Sequence, residues 1–175
     1  ITTLGLTLSI PSFLGILLSF SVPPSYDEKI VEVINIPVGA SLDQVTHLLR
    51  EKGVIRYQNL FFLLARWRGV DTHIKSGEYQ LSNRMLPNDV LNKLIRGEQI
   101  KYSITIPEGF NLVQTAALYE RMGLADKNKF IHLATDPTFI ESLGMNEETL
   151  EGYLFPDTYK FIRNIGERNI IRRMV

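Results

Sequence analysis

The stretch Ile34–Gly53 is echoed at constant spacing by Ile104–Gly123. Ile34-Asn-Ile-Pro-Val-Gly-Ala-Ser-Leu-Asp-Gln answers to Ile104-Thr-Ile-Pro-Glu-Gly-Phe-Asn-Leu-Val-Gln, and Leu48 and Gly53 answer to Leu118 and Gly123. Each copy reads as a strand, a Pro-x-Gly turn, a capping residue with Gln three positions on, a helix and a Gly stop. Two readings account for this. One supersecondary unit is used twice, or separate strand-turn-helix units have converged on the same turn and cap residues. Either way, the chain is committed to α+β.

The rest of the chain frames these two units. Ile1–Val22 has no charged residue and just matches a hydrocarbon core of about 30 Å at about 1.5 Å per residue, so a membrane helix is expected there. The competing readings are the apolar region of a signal peptide and a buried core helix. Ser21-Val22-Pro23-Pro24 is a poor cleavage site, and Pro11, Gly5 and Gly15 are tolerated in membrane helices. Orientation does not follow, because the positive-inside rule needs the upstream flank. Residues 23–29 read as a stiff linker. Residues 30–100 read as strand Ile30–Ile36, a helix from Ser41 to Gly53, a helix Asn59–Arg68 and a strand Glu78–Leu81, then a helix opened by Pro87 and closed by Gly97. Residues 101–175 continue with the second copy, a helix Asp126–Thr135, a short helix from Asp136-Pro137 to Leu143, and a helix from Ile165. The chain begins without Met and stops inside that last helix, so a fragment of a longer protein is expected.

Composition narrows the function classes. Lys+Arg 19 balance Asp+Glu 19, so no basic excess points to nucleic acid. The chain has no cysteine, which excludes a disulfide framework, a thiolate metal site and a cysteine nucleophile. His47, His73 and His132 are far apart and form no i, i+4 pair, so they read as surface or cap residues, and no metal or cofactor is expected.

The chemistry is expected in Leu150–Tyr159, where Glu151 and Asp157 stand among Tyr153, Phe155 and Tyr159. If the segment is extended, all five side chains share one face. A carboxyl group held against rings is desolvated, which favours the neutral acid, and aromatic faces pack against sugars. The plainer reading is that a Glu beside a turn is solvated or capping and that alternating aromatics are core. Asn146, Glu147 and Glu148 suit a helix start, which would put Glu151 at the end of a single turn and break the alternation. Asp157 in Pro-Asp-Thr suits an Asx turn. Glu108 stands at the carboxyl end of the second strand where the first copy has Val38. It is either a second carboxylate of the site or a solvated turn residue.

Glu151-Gly-Tyr-Leu-Phe-Pro-Asp-Thr-Tyr159 resembles the signature of the endolytic murein transglycosylases, the MltG or YceG-like family. The resemblance implies a small LysM-like β-α-α-β subdomain over 30–100, and over 101–175 the first part of a mixed α/β catalytic domain that continues past Val175. It implies cleavage of the β-1,4 bond between N-acetylmuramic acid and N-acetylglucosamine in peptidoglycan, leaving a 1,6-anhydro end. Ordinary glycosidases need two carboxylates; here the sugar's own 6-hydroxyl is the nucleophile, so one suffices. Glu151 matches the catalytic position, as acid and then base. Asp157 is given a supporting role, and Tyr153 and Tyr159 are sugar contacts or core. The implied setting is the bacterial cytoplasmic membrane, single-pass, with the soluble part on the periplasmic or extracellular side, near penicillin-binding synthases. The competing reading is a non-catalytic peptidoglycan-binding or scaffold module. A Glu held among rings in a cleft would separate the two.

Overall fold

The computed structural model describes residues 29–175. The expected membrane helix over 1–22 and most of the linker lie outside the described residues. Among the described residues no helix is long and apolar enough to cross a membrane.

Four strands and seven helices follow in the order β1 (Val31–Ile36), α1 (Leu42–Glu51), α2 (Gln58–Trp67), β2 (Gly77–Ser82), α3 (Pro87–Arg96), β3 (Tyr102–Thr105), α4 (Leu112–Arg121), α5 (Lys127–Ala134), α6 (Pro137–Glu141), β4 (Thr158–Phe161) and α7 (Glu167–Met174). The fold is α+β, and the chain divides after Gln99 into two compact units.

In the first unit β1 and β2 pair antiparallel from Val31↔Ser82 to Ile36↔Gly77. The period-two pattern of a strand places Ile34, Ile36, Tyr79 and Leu81 on the inner face, where all four are buried. Val45 and Leu49 of α1, Phe61 and Leu64 of α2, and Val90, Leu91 and Leu94 of α3 close that core. Pro87 stands at the first helical position of α3 and Gly97 caps its end, as the fixed φ of one and the left-handed reach of the other dictate. The Tyr79 hydroxyl donates to the Lys75 carbonyl at 2.8 Å.

The second unit repeats the plan with different layers. β3 and β4 pair antiparallel from Tyr102↔Phe161 to Thr105↔Thr158, and Ile104, Ile106, Tyr159 and Phe161 face inward. Tyr119 of α4 stacks on Phe130 of α5 at 5.6 Å and meets Phe161 edge-on at 5.9 Å. Its hydroxyl is buried with no hydrogen-bond partner among the described residues.

The two echoed stretches form the same local structure. In α1 the Ser41 hydroxyl accepts the Gln44 N–H at 3.3 Å and the Gln44 side-chain oxygen accepts the Ser41 N–H at 2.9 Å. In α4 Asn111 and Gln114 make the same reciprocal pair at 2.8 and 3.0 Å. At the exits, Val54 N–H donates to Leu49 C=O at 2.9 Å and Leu124 N–H to Tyr119 C=O at 3.0 Å. The turns match too, with Gly39 at φ +76° and Gly109 at φ +80°.

The extended run expected over Glu151–Tyr159 is not formed. Leu150 to Tyr153 is a tight turn, closed by the Tyr153 N–H on the Leu150 carbonyl at 3.1 Å, and strand begins only at Thr158. The cause is Gly152, whose φ of +80° suits the third position of a type II turn and breaks the alternation. Nor does Asn146-Glu147-Glu148 open a helix.

Candidate active site

Residues 150–157 have no regular secondary structure, so their backbone groups need partners elsewhere. Three of the ties are backbone bonds. Leu150 N–H donates to Ala134 C=O at the end of α5, Phe155 N–H to Met174 C=O in α7, and Asp157 C=O accepts Ile106 N–H just past β3, each at 2.9 Å. The fourth is made by the Glu151 side chain, whose carboxylate oxygens lie 3.0 and 3.3 Å from the N–H of Leu112, the first residue of α4. A helix leaves its first N–H groups without internal acceptors, and its dipole favours negative charge there. Asn111 serves the Gln114 N–H; Glu151, arriving from far along the chain, serves that of Leu112.

Glu151 is therefore positioned but not enclosed. It is exposed, as are Tyr153 at 37% and Phe155 at 59%, so the expected cage of rings around a desolvated carboxyl is not what the described residues form. The Gly152 turn sends the side chain to α4 and away from a common aromatic face. A Glu among rings therefore does not separate the catalytic from the binding reading.

The other expected site residues distribute unevenly. Tyr153 donates its hydroxyl to the Glu147 carboxylate at 2.8 Å, and that hydrogen bond, with the carboxylate's charge, pushes the phenol above its ordinary value. Asp157 accepts the N–H of the next residue, Thr158, at 2.6 Å, one residue nearer than an Asx turn reaches, and its side chain is exposed. Tyr159 is only 8% exposed. It stacks on Phe161 at 5.9 Å and donates to the Phe155 carbonyl at 2.7 Å. Burial first, then the nearby Asp157 charge, raises its phenol, with Arg173 opposing. Of its two readings, core packing fits. Glu108 is exposed in the turn that leads from β3 into α4. The Ile106–Asp157 bond ties the start of that turn to the signature, and the turn leads to the helix end that holds Glu151. The chain thus gathers Glu108, Glu151 and Asp157 around one end of the β3–β4 pair.

Sequence reasoning missed two participants, Glu147 and the Leu112 N–H. The second had a partial signal, because a capping box announces a helix start and hence orphan donors; nothing local named the acceptor. An open groove of about 750 Å³ lies elsewhere in the second unit, between α5 and the start of α7, where Lys129, His132, Glu167 and Arg168 line it. None of the expected site residues borders it. His47, His73 and His132 are all exposed, and among the described residues no group of three His, Asp or Glu could hold a metal ion.

The model of the YceG-like family matches residues 34–175. An endolytic murein transglycosylase of Bacillus subtilis (strain 168) is 30% identical over 154 residues, covering 79% of this chain and 42% of that protein. Another, of Streptococcus pneumoniae serotype 2 (strain D39), is 26% identical over 179 residues, covering 87% of this chain and 32% of that one. The crystal structure of a putative yceG-like protein from Listeria monocytogenes is 27% identical with a TM-score of 0.47, over 85% of this chain and 53% of that one. The chain thus spans less than half the length of these two curated relatives.

Proposed function

The chain belongs to the YceG-like family, and from that premise we propose that it carries the acid–base residue of a membrane-anchored endolytic peptidoglycan lytic transglycosylase. The observation that carries the proposal is the placement of Glu151, which is fixed at the start of α4 by the Leu112 N–H while its side chain stays open to a ligand. The start of α4 favours the carboxylate, whereas a bound glycan that excludes water favours the neutral acid; the protonated carboxyl keeps one oxygen for that N–H and presents its O–H with the other. It gives this proton to the glycosidic oxygen between N-acetylmuramic acid and N-acetylglucosamine as the bond to the anomeric carbon breaks. The resulting carboxylate then takes the proton of the muramic acid 6-hydroxyl as that oxygen closes on the anomeric carbon. The product ends in 1,6-anhydro-muramic acid, with no water consumed and no cofactor. Tyr153, braced by Glu147, offers an exposed ring two residues away. Asp157 and Glu108 support the same end of the unit without a proton-transfer role.

The proposal places residues 1–22 in the bacterial cytoplasmic membrane as a single-pass anchor, with the folded part on the periplasmic or extracellular side. Peptidoglycan glycan strands are the substrate, near the synthases that polymerise them. The β-α-α-β of the first unit, built on an antiparallel strand pair, serves as a LysM-like glycan grip.

The test is mass spectrometry of products from purified peptidoglycan with wild type and Glu151→Gln. Gln keeps an oxygen for the Leu112 N–H but supplies no proton, so 1,6-anhydro ends fall by about 10²–10⁴-fold with the fold intact. Reducing ends in place of anhydro ends would mean hydrolysis and a second carboxylate. A second reading, a non-catalytic glycan-binding module, is favoured by the exposure of Glu151. Glycan binding without cleavage by wild type would establish it.

A further inference from the structure

Helix α2 has an apolar face that its own unit does not use. Its inner side, Phe61, Leu64 and Ala65, is buried in the core. On the outward side Leu63 is 54% and Trp67 84% exposed, one turn apart and so on a single strip of surface. Leu60 and Phe62 flank the strip, half-buried, and Arg66 is the one charged residue of the helix. A helix on a protein surface normally turns polar residues outward; here Asn59 and Arg66 share that side with the two large apolar residues Leu63 and Trp67.

The rim of the strip is cationic. Arg56 lies 5.4 Å over the exposed ring of Tyr57 just before the helix. Arg68, just after it, is held by two neutral amides, Asn88 at 2.6 Å and Asn92 at 2.9 Å, which position the guanidinium without cancelling its charge. Arg66 meets Asp71 at 3.5 Å. Although the whole chain is neutral, residues 29–99 hold ten Lys and Arg against seven Asp and Glu. Leu and Trp edged by Arg is the chemistry of a helix lying on an anionic bilayer, with the indole at headgroup depth and guanidinium groups on lipid phosphates. Uncharged sugar hydroxyls gain little from the guanidinium groups of Arg56 and Arg68, whereas phosphates gain a great deal.

Chain length supplies the second argument. Eight residues, 23–30, separate the end of the charge-free run from β1, a reach of at most about 29 Å when fully extended. A unit of this size has a radius of gyration of about 11 Å, so an anchored chain keeps every face of it close to the bilayer. At that effective concentration a weak contact is enough. We propose that the outward face of α2, centred on Trp67 and Leu63 and rimmed by Arg56, Arg66 and Arg68, rests on the anionic lipid surface. The inference rests on the reading of residues 1–22 as a membrane anchor.

Trp67 is the only tryptophan in the chain, so its fluorescence reports this face alone. The chain 1–175 is reconstituted into vesicles of phosphatidylglycerol and phosphatidylethanolamine, and flotation is measured alongside emission. The expected result is a floating chain whose emission is blue-shifted, quenched by lipids brominated in their acyl chains and shielded from aqueous iodide. The double variant Leu63→Glu, Arg68→Gln floats as before, keeps its circular dichroism spectrum and loses both the shift and the quenching by lipid. A wild-type chain that floats with Trp67 still quenched by iodide overturns the docking face and leaves the anchor standing. A chain that does not float overturns the anchor and the docking face with it. Emission that shifts with purified glycan strands and not with vesicles gives the face to sugar and also overturns the proposal.

Discussion

The stretches Ile34–Gly53 and Ile104–Gly123 are the same device in two settings. Turn, reciprocal cap, ten-residue helix and exit agree between them hydrogen bond for hydrogen bond. They differ in what the surrounding chain adds. In the first, the turn carries Val38, 89% exposed, and the helix start relies on its own capping box. In the second, the turn carries Glu108, and Glu151 arrives to take the Leu112 N–H. The same local scaffold thus occurs in two settings, and a distant segment places a carboxylate on only one of them.

The sharpest way to break that comparison is at the matched core positions Leu49 and Tyr119, both fully buried. Leu49→Ala should cost about 2–5 kcal/mol and Tyr119→Ala about 3–5 kcal/mol by chemical denaturation. A marked shortfall at one position would show that one copy is not a core element of its unit. Next come the turns. Gly39→Ala and Gly109→Ala each force a side chain to positive φ, and a Cβ meets nothing within 4 Å at either. The cost is purely conformational and should be equal, about 1–2 kcal/mol. Unequal losses would mean that Glu108 strains its turn. Glu151→Ala has no counterpart in the first copy; losing the cap on Leu112 should cost about 1 kcal/mol, while Glu151→Gln leaves the melting temperature near wild type.

Smaller still is Tyr119→Phe. Its hydroxyl is buried without a partner among the described residues, whereas Tyr79 of the first unit donates to Lys75, so removing the Tyr119 oxygen should gain about 1 kcal/mol. The pH dependence follows the same contrast. Burial pushes the Tyr119 phenol well above the ordinary 10.0, helped by Tyr159, so its contribution to stability is complete below that pH and is lost as pH climbs through the raised value. Tyr119→Phe should soften alkaline unfolding, leaving the smaller part due to Tyr79 and Tyr159, both raised by burial, and to Tyr153. An unchanged alkaline transition would place the loss elsewhere. Smallest is Val38→Glu, which copies the second turn into the first and should shift stability by about 0.5 kcal/mol or less.

Most of the fold was legible because its signals are local. Pro87, Gly97, the two capping boxes and the apolar stripes each act within one turn of helix, and the elements stand within a residue or two of where the sequence puts them. The shape of the candidate site was not legible. Glu151, Asp157 and Tyr153 stand out in the sequence as residues, but Gly152 turns the chain where alternation requires extension. The partner of Glu151 is 39 residues away, beyond any periodicity. The partner of Tyr153, Glu147, was read as a helix-start residue, because Asn-Glu-Glu after a Gly is as good a capping signal as it is an acceptor placed under a phenol.

The ties around residues 150–157 also order events in time. Leu112, Ala134 and Ile106 leave the ribosome before Glu151, but the Met174 carbonyl that holds Phe155 follows it by 23 residues. At about 5–20 residues per second, that is roughly one to five seconds during which the proposed acid is already made and the Phe155 tie has no acceptor. The nascent chain thus passes through an interval in which Leu112 can hold Glu151 while the segment around it is not yet fastened to its last support.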